Sequence, residues 1–155
     1  MFKPNQTFLL ITIFFLLLFG SVSCGTMDQY YKTQENLDLS IKAFNFEFES
    51  KAMNSSARFV HPSQRAYFMG KSMEMTQRVT FYEATVLDIK FFKNGIPSIN
   101  TSKGPEKGFD RAVVVIRYQV AVLPSTKLKS LIIEHEWVLN QGQWSVIPDL
   151  DSLLN

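Results

Sequence analysis

The single thiol of the sequence, on Cys24, and its two imidazoles, on His61 and His135, are groups that nucleophilic or acid–base chemistry uses. His135 lies in LKSLIIEHEWVL, where apolar side chains alternate with polar and charged ones. On a β-strand this alternation places His135 on the apolar face with Trp137. An imidazole there is either a structural residue with hydrogen-bonded nitrogens or a group that binds a ligand.

The preceding segment, RAVVVIRYQVAVL, has an entirely apolar face at its even positions, which includes Tyr118. If these faces and the helices enclose a pocket, its candidate lining residues are Phe44, Tyr67, Tyr118, His135 and Trp137. Proton-transfer catalysis needs a base held in place by a partner such as a carboxylate. Because Asp88, Glu134 and Glu136 fall on the opposite face by the same alternation, we predict no catalytic residues.

Motifs for metal, nucleotide or ester chemistry are missing from the sequence. His61 and His135 are too far apart to match a metal-ligand spacing, and HEW is not a metalloprotease motif. The sequence has no Gly-rich phosphate loop and no G-x-S-x-G. We therefore expect no metal and no cofactor, and we interpret His61, beside Pro62, as a residue at a helix start.

Residues 1–23 have the pattern of a secretory signal. Lys3 is the only charged residue among them, and the run from Phe8 to Phe19 is apolar apart from Thr12. This run is shorter than the roughly 20 residues of a membrane span. Small residues follow, and SVSC, which ends at Cys24, is similar to the bacterial lipobox.

The lipobox resemblance implies cleavage before Cys24 and attachment of lipid chains, such as diacylglycerol and palmitate, to its thiol. The predicted location is the bacterial cell envelope, with the protein anchored in a membrane and facing the periplasm or the exterior. Two alternatives remain open: an ordinary secretory signal with an incidental cysteine, or a leader retained as an anchor. Cys24 is the only cysteine, so an intramolecular disulfide is impossible.

The remaining sequence has the size and composition of one globular domain. We divide the chain into a signal peptide (1–23), a short polar tether (24–35) and a folded domain (36–155). The whole chain has 16 Lys and Arg residues and 14 Asp and Glu residues, and one of the basic residues is Lys3 in the leader. The domain is therefore nearly neutral, without a basic run, and nucleic acid is not an expected partner.

Helical spacing dominates the first half of the domain. Apolar residues recur at Leu37, Ile41, Phe44 and Phe48, which predicts a helix from Asn36 to Ser50. Phe46 breaks this pattern, because with its neighbours it also alternates like a strand. HPSQRAYFMGKSMEM predicts a later helix whose apolar face is formed by Ala66, Met69 and Met73.

After residue 78 the period changes to alternation. In TFYEATVLDIKFF the predicted apolar face is Leu87, Ile89 and Phe91; residues 94–110 form a long loop, and three strands follow in an antiparallel meander. A four-residue PSTK turn predicts that Arg117 lies opposite Glu134 on the outer face. The NQGQ turn predicts that Leu139 lies opposite Trp144.

Helices followed by an antiparallel meander, with HP opening a helix and EHEWVLNQGQWSVIP as the last hairpin, resemble the NTF2-like (cystatin-like α+β roll) superfamily over roughly residues 36–150. The resemblance implies an α+β fold in which N-terminal helices pack on a curved four-stranded antiparallel sheet. It also implies a conical pocket, which some members use for isomerase or dehydratase chemistry and others for binding or assembly. Fold alone therefore does not decide function.

Because the predicted inner face is apolar and lacks an acid, we expect a lipid-anchored, non-catalytic envelope lipoprotein. Its domain would bind an apolar ligand or a protein partner. The alternative is a small isomerase or dehydratase that uses His135 and Tyr118. The membrane is a predicted partner through the lipid on Cys24, and the resemblance implies a homodimer through the sheet as a further association.

Overall fold

The computed structural model describes residues 25–101, 104–105 and 108–154. Four α-helices and seven strands occur in this part of the chain, with a 3-10 turn at Pro62–Gln64. In chain order they are α1 (Gly25–Glu49), α2 (Met53–Ser56), α3 (Arg65–Arg78), β1 (Val79–Lys93), β2 (Ile96–Pro97), β3 (Asn100–Thr101), β4 (Gly104–Pro105), β5 (Arg111–Val122), β6 (Lys129–Asn140), β7 (Gln143–Ile147) and α4 (Asp151–Leu154).

The fold is α+β, with helices packed on an antiparallel sheet of five strands in the order β2-β1-β5-β6-β7. The predicted count of four strands is wrong. The additional strand is β2, which lies within the segment predicted as a loop and pairs with the end of β1. Asn94 and Gly95 have φ angles of 51° and 78°, which is the two-residue turn that Asn-Gly favours between antiparallel strands.

Helix α1 lies across the inner face of the sheet through the predicted apolar stripe. Leu37, Ile41, Phe44 and Phe48 are all buried, whereas Phe46 is 75% exposed, so the helical period and not the alternation describes this segment. The helix already includes Gly25, the first described residue, well before the predicted start at Asn36, so residues 25–35, which we assigned to a tether, are helical. The predicted signal peptide and Cys24 lie outside the described residues.

Helix α3 turns a different face to the core from the one predicted. Phe68 and Met75 are buried, whereas Met69 and Met73 are 39% and 70% exposed and Ala66 is exposed as well. The choice of face follows from packing, because the Phe68 ring lies 6.1 Å from the ring of Phe48 on α1. The stripe that we predicted therefore faces away from the core.

Strand β1 contains two bulges, at Tyr82 and Leu87, where its pairing with β5 shifts by one residue. Each bulge reverses which face the following residues occupy. The β1 residues opposite the inward-facing side chains of β5 are Val79, Phe81, Ala84, Val86, Ile89 and Phe91. The expectation that Leu87 shares a face with Ile89 and Phe91 is therefore wrong, and Leu87 is 47% exposed.

The faces of β5 and β6 agree with the sequence analysis, but their register does not. The even positions of β5 from 112 to 122 are buried, as are Ile133, His135 and Trp137 on β6. Arg117 lies opposite Ile132, two residues from the predicted Glu134, which instead forms an ion pair with Lys90 at 3.0 Å.

The register differs because the β5–β6 connection is longer than PSTK. The last paired residues are Val120 and Lys129. The backbone N–H of Leu123 donates to the carbonyl of Arg78 at 2.9 Å, so this residue extends the contact with β1 instead of pairing with β6. The faces are preserved because the register shift is two residues, and a shift of two leaves every side chain on its original face.

The last hairpin is as predicted, with Leu139 opposite Trp144. Beyond it, Val60 forms a parallel bridge with Val146 on the outer edge of β7, and α4 follows with Leu153 and Leu154 buried. Among the residues that the structure describes, none of the helices has the length and apolar character needed to span a membrane.

Candidate functional site

Three polar side chains are buried side by side between α1 and the sheet. His135 on β6 is 0% exposed, Tyr118 on β5 is 0% exposed, and Asn45 on α1 is 7% exposed. His135 Nε2 lies 3.1 Å from Tyr118 Oη, and Tyr118 Oη lies 3.3 Å from Asn45 Oδ1. The backbone N–H of Asp149 completes the set by donating to His135 Nδ1 at 3.2 Å. We call these four groups the His135 network.

The direction of each hydrogen bond in the network follows from its one backbone donor. An amide N–H can only donate, so His135 Nδ1 must be the unprotonated nitrogen of the ring. In a neutral imidazole Nε2 then carries the hydrogen and donates to Tyr118 Oη. The tyrosine hydroxyl has one hydrogen, which it donates to Asn45 Oδ1. Every bond in the network therefore has a single consistent direction.

Burial keeps both titratable members of the network neutral at ordinary pH. Burial lowers the pKa of His135 to about 4, and the negative charge of Asp149 opposes this shift only in part. Burial also raises the pKa of Tyr118 well above its ordinary value, and the charge of Glu49 adds to the effect. A neutral imidazole and a neutral phenol are the forms that the hydrogen-bond directions require.

Aromatic rings enclose the His135 end of the network. The ring of Phe44 packs edge to face against both His135, at 6.2 Å, and Trp137, at 5.9 Å. Phe44 and Trp137 are themselves completely buried, and Phe48 lies 6.4 Å from Tyr118. The imidazole and phenol are thus held in a packed core, and neither side chain lines the two clefts described below.

Of the five predicted pocket-lining residues, the structure brings four together. Phe44, Tyr118, His135 and Trp137 meet between α1 and the sheet, whereas Tyr67 on α3 is 40% exposed and lies outside this cluster. A hydrogen bond with Asp151 raises the pKa of Tyr67, which places its hydroxyl beside α4 at the surface. The prediction that Tyr67 faces the interior is wrong, because α3 uses Phe68 for that contact.

His61 lies at the start of the 3-10 turn, where its Nδ1 is 2.8 Å from the hydroxyl of Ser63. Its position is the helix start that the sequence indicated. Among the residues that the structure describes, no group of three or more His, Cys, Asp and Glu side chains is arranged to hold a metal ion.

The Asn45 end of the network opens into a cleft of about 420 Å³ between α1 and the middle of β1. We call it the Asn45 cleft. Its apolar walls are Ile41, Phe46, Ala84 and Val86, and its polar lining residues are Lys42, Asn45, Glu49 and Ser50. Ala84 and Val86 are the two inward-facing residues between the bulges of β1, and their small side chains leave the space beneath α1 unfilled.

Glu49 gives this cleft a carboxylate that the sequence analysis did not anticipate. It lies on α1 one turn beyond Asn45 and is half-buried. Burial raises its pKa above the ordinary value, a hydrogen bond from the Ala84 backbone opposes the shift, and the charge of Glu83 adds to it. Asp88, Glu134 and Glu136 on the strands face outward as predicted, whereas the carboxylate of the cleft belongs to the helix.

A sequence signal for Asn45 and Glu49 exists. Both continue from Ile41 at intervals of four residues, along the border of the buried stripe of α1. Polar residues at such border positions lie at the edge of the helix–sheet interface, where they reach both the core and solvent.

A second cleft of about 420 Å³ lies between the first half of α1 and the β6–β7 turn. Asn36, Ser40, Arg58 and Gln143 supply polar groups there, and Trp144 forms part of the wall. The indole N–H of Trp144 already donates to the carbonyl of Thr33 at 3.1 Å. This cleft does not include the residues of the His135 network, so the Asn45 cleft is the better candidate site.

No protein-family model matches this chain, and no curated protein matches it. Among solved structures, it is similar to a SEC-C motif-containing protein from Rhodopseudomonas palustris, at 16% identity and a TM-score of 0.48. The match covers 66% of this chain and 67% of that one. A likeness at this level carries no argument about family or activity, so the site itself must supply the argument.

Proposed function

We propose that this chain is a lipid-anchored protein of the bacterial cell envelope, attached through Cys24, and that its domain is an NTF2-like roll with a binding role and not a catalytic one. The apolar part of a small ligand would occupy the Asn45 cleft. The observation that carries the binding role is the closure of the His135 network. Both ring nitrogens of His135 and the hydroxyl of Tyr118 are hydrogen-bonded and buried, so neither residue is free to exchange a proton with a ligand.

The architecture supports the NTF2-like part of this proposal. Helix α1 crosses the inner face of an antiparallel sheet that is bent by two bulges in β1, and the cleft opens between them. Helix α1 includes Gly25, the residue after Cys24, so acylation of the cysteine would hold the domain close to the membrane surface. One acyl chain binds a membrane only marginally, whereas the several chains of a mature lipoprotein anchor it stably.

The anchor is tested by substitution of the acylated residue. Wild type and Cys24→Ser are expressed in a bacterium fed labelled palmitate, with Ser23→Ala as a control that keeps a small residue before the cysteine. We expect wild type and Ser23→Ala to carry the label in the membrane fraction, and Cys24→Ser to be unlabelled and either released or unprocessed. A Cys24→Ser protein that is processed and fractionates like wild type would contradict the proposal.

An isomerase or dehydratase is the second candidate, and Glu49 is the observation that favours it. A half-buried carboxyl with a raised pKa in a cleft has the properties of a general base. His135 and Tyr118, the residues that the sequence suggested for this chemistry, do not reach the cleft surface. If an enzyme is present, its base is Glu49.

A proton-exchange assay separates the two candidates. A base positioned over a bound ketone removes an α-proton and lets deuterium from D₂O take its place. We expect no exchange of the methyl protons of 2-acetylnaphthalene above the rate without protein. Exchange that is fast with wild type and lost with Glu49→Gln, but retained with the matched Glu47→Gln, would support the enzyme instead.

A further inference from the structure

The His135 network fixes which atom of Asn45 meets the contents of the cleft. Tyr118 donates its only hydroxyl hydrogen to Asn45 Oδ1, so this amide oxygen is turned toward the core. The amide oxygen and nitrogen are attached to the same carbon and point in different directions. Asn45 lines the cleft and is also bound to the network, so the nitrogen, Nδ2, is the atom left for the cleft.

The surroundings of Nδ2 agree with this orientation. Among the residues that the structure describes, Nδ2 of Asn45 has no hydrogen-bond partner. It is also not one of the fully buried side-chain atoms that lack a partner, so Nδ2 is accessible. An amide nitrogen can only donate, so Asn45 offers the cleft a donor and no acceptor. The backbone N–H of Asp149, which follows β7, thereby sets the polarity of the cleft through the side chains of His135 and Tyr118.

We propose that the Asn45 cleft selects apolar ligands that carry an uncharged hydrogen-bond acceptor, such as a ketone or ester carbonyl, and that the acceptor binds Asn45 Nδ2. This inference depends on the proposed binding function. It deepens that function by naming the ligand class and the atom that recognises it.

The charged residues of the cleft favour an uncharged acceptor over a carboxylate. Glu49 lies one turn from Asn45, and a second negative charge beside it would be repelled. Lys42 is the basic residue of the cleft, but its charge interacts with Asp38 on the preceding turn of α1. A cleft of about 420 Å³ is within the range of small-molecule sites, and its apolar walls suit an aromatic or aliphatic body.

Two probes of nearly the same shape isolate the acceptor. 2-Acetylnaphthalene carries a carbonyl, and 2-ethylnaphthalene has a methylene group in its place. Full-length protein in lipid nanodiscs is dialysed against each probe, with empty nanodiscs to correct for partition into lipid. Since one hydrogen bond to a buried partner is being compared with none, we expect wild type to bind the ketone about five- to tenfold more tightly. The carbonyl stretching band of the bound ketone should also move to lower frequency.

The Asn45→Asp variant replaces the donor and keeps an oxygen for Tyr118, with Asn36→Asp on the same helix as the matched control. We expect Asn45→Asp to abolish both the preference for the ketone and the shift of its band, and Asn36→Asp to retain both. Equal binding of the two probes by wild type would overturn this inference while leaving the binding function intact. Binding of neither probe would overturn both. The wild-type ratio and band shift decide the matter even if Asn45→Asp does not fold.

Discussion

The two ends of the His135 network differ in what surrounds them. At one end His135 is completely buried, packed against Phe44, and bound through both nitrogens to groups of the protein. At the other end Asn45 lines a cleft with Glu49, and one of its two polar atoms is left without a partner in the described structure. We call the His135 end closed, because all of its polar side-chain atoms are hydrogen-bonded within the protein. We call the Asn45 end open, because Nδ2 is available to a ligand in the cleft.

This difference assigns separate roles to residues that the sequence alone would group together. A buried imidazole whose nitrogens are both engaged contributes to the specific packing of the core, because breaking either bond leaves a buried group unsatisfied. An amide at a cleft contributes to recognition, because its donor becomes satisfied when a ligand binds. The closed end should therefore determine stability, and the open end should determine ligand selection.

The largest effect is expected from Phe44, which covers the closed end. Phe44→Ala removes a completely buried ring that contacts His135 and Trp137, and should lower the free energy of unfolding by about 3–5 kcal/mol. Phe46→Ala, two residues along the same helix and 75% exposed, is the control and should change it by less than about 0.5 kcal/mol. Urea denaturation of both variants measures the difference. Similar losses would show that α1 does not present the stripe described above to the core.

A smaller effect is expected when the connection between the two ends is cut. Tyr118→Phe removes only the hydroxyl and leaves the Nε2–H of His135 without an acceptor, which should cost about 1–3 kcal/mol of unfolding free energy. Tyr82→Phe, at a bulge and 65% exposed, is the matched control and should be nearly neutral. If Tyr118→Phe were as stable as wild type by denaturation, the hydroxyl would not be part of a satisfied buried network.

The pH dependence of stability provides a third comparison. The pKa of His135 is about 4 in the folded state and near 6.5 in an unfolded chain. Between these values the unfolded state binds the proton and the folded state does not, so the free energy of unfolding falls as the pH falls through this window. Relative to about pH 8, His135 should account for a loss of about 1.4 kcal/mol at about pH 5.5.

Substitution of each histidine in turn isolates this contribution. His135→Gln should remove it, whereas His61→Gln should retain it, because the His61 ring lies at a helix start near the surface. Denaturation curves at several pH values give the slopes. The pH dependence of the unfolding free energy could instead be the same in wild type and His135→Gln but smaller in His61→Gln. The acid sensitivity would then come from His61 and not from His135, which would contradict the prediction.

The sequence predicted the buried faces of α1, β5 and β6 correctly but not those of α3 and β1. Strand β5 has an apolar, buried side chain at every even position, so its buried face could be recognised from the sequence. Strand β1 does not, because two bulges change the face twice within one strand, and its local sequence gives no period for them. The β5–β6 register also depends on a contact between Leu123 and Arg78 that is distant in sequence.

The candidate site was predictable at its closed end only. His135, Tyr118, Phe44 and Trp137 all lie on apolar stripes with a clear period, and such stripes predict burial. The cleft exists because Ala84 and Val86, which follow the bulge at Tyr82 in β1, are too small to fill the space opposite the polar border of α1. Neither the bulge nor the helix–strand juxtaposition is a local property of the sequence, so Asn45 and Glu49 were identified only from the structure.

The most direct test of the closed network is the protonation state of the His135 ring. Long-range proton–nitrogen correlation spectra of the full-length protein labelled with ¹⁵N-histidine distinguish the two neutral tautomers from the imidazolium, with His61 as the reference in the same sample. The signals that are missing from the spectrum of His135→Gln are assigned to His135. We predict that this ring is neutral at neutral pH, with the hydrogen on Nε2 and none on Nδ1. A neutral ring protonated at Nδ1 would reverse the hydrogen bond between His135 and Tyr118 and contradict the assignment of Asn45 Nδ2 to the cleft. An imidazolium would contradict the acceptance by Nδ1 of a hydrogen bond from the backbone of Asp149.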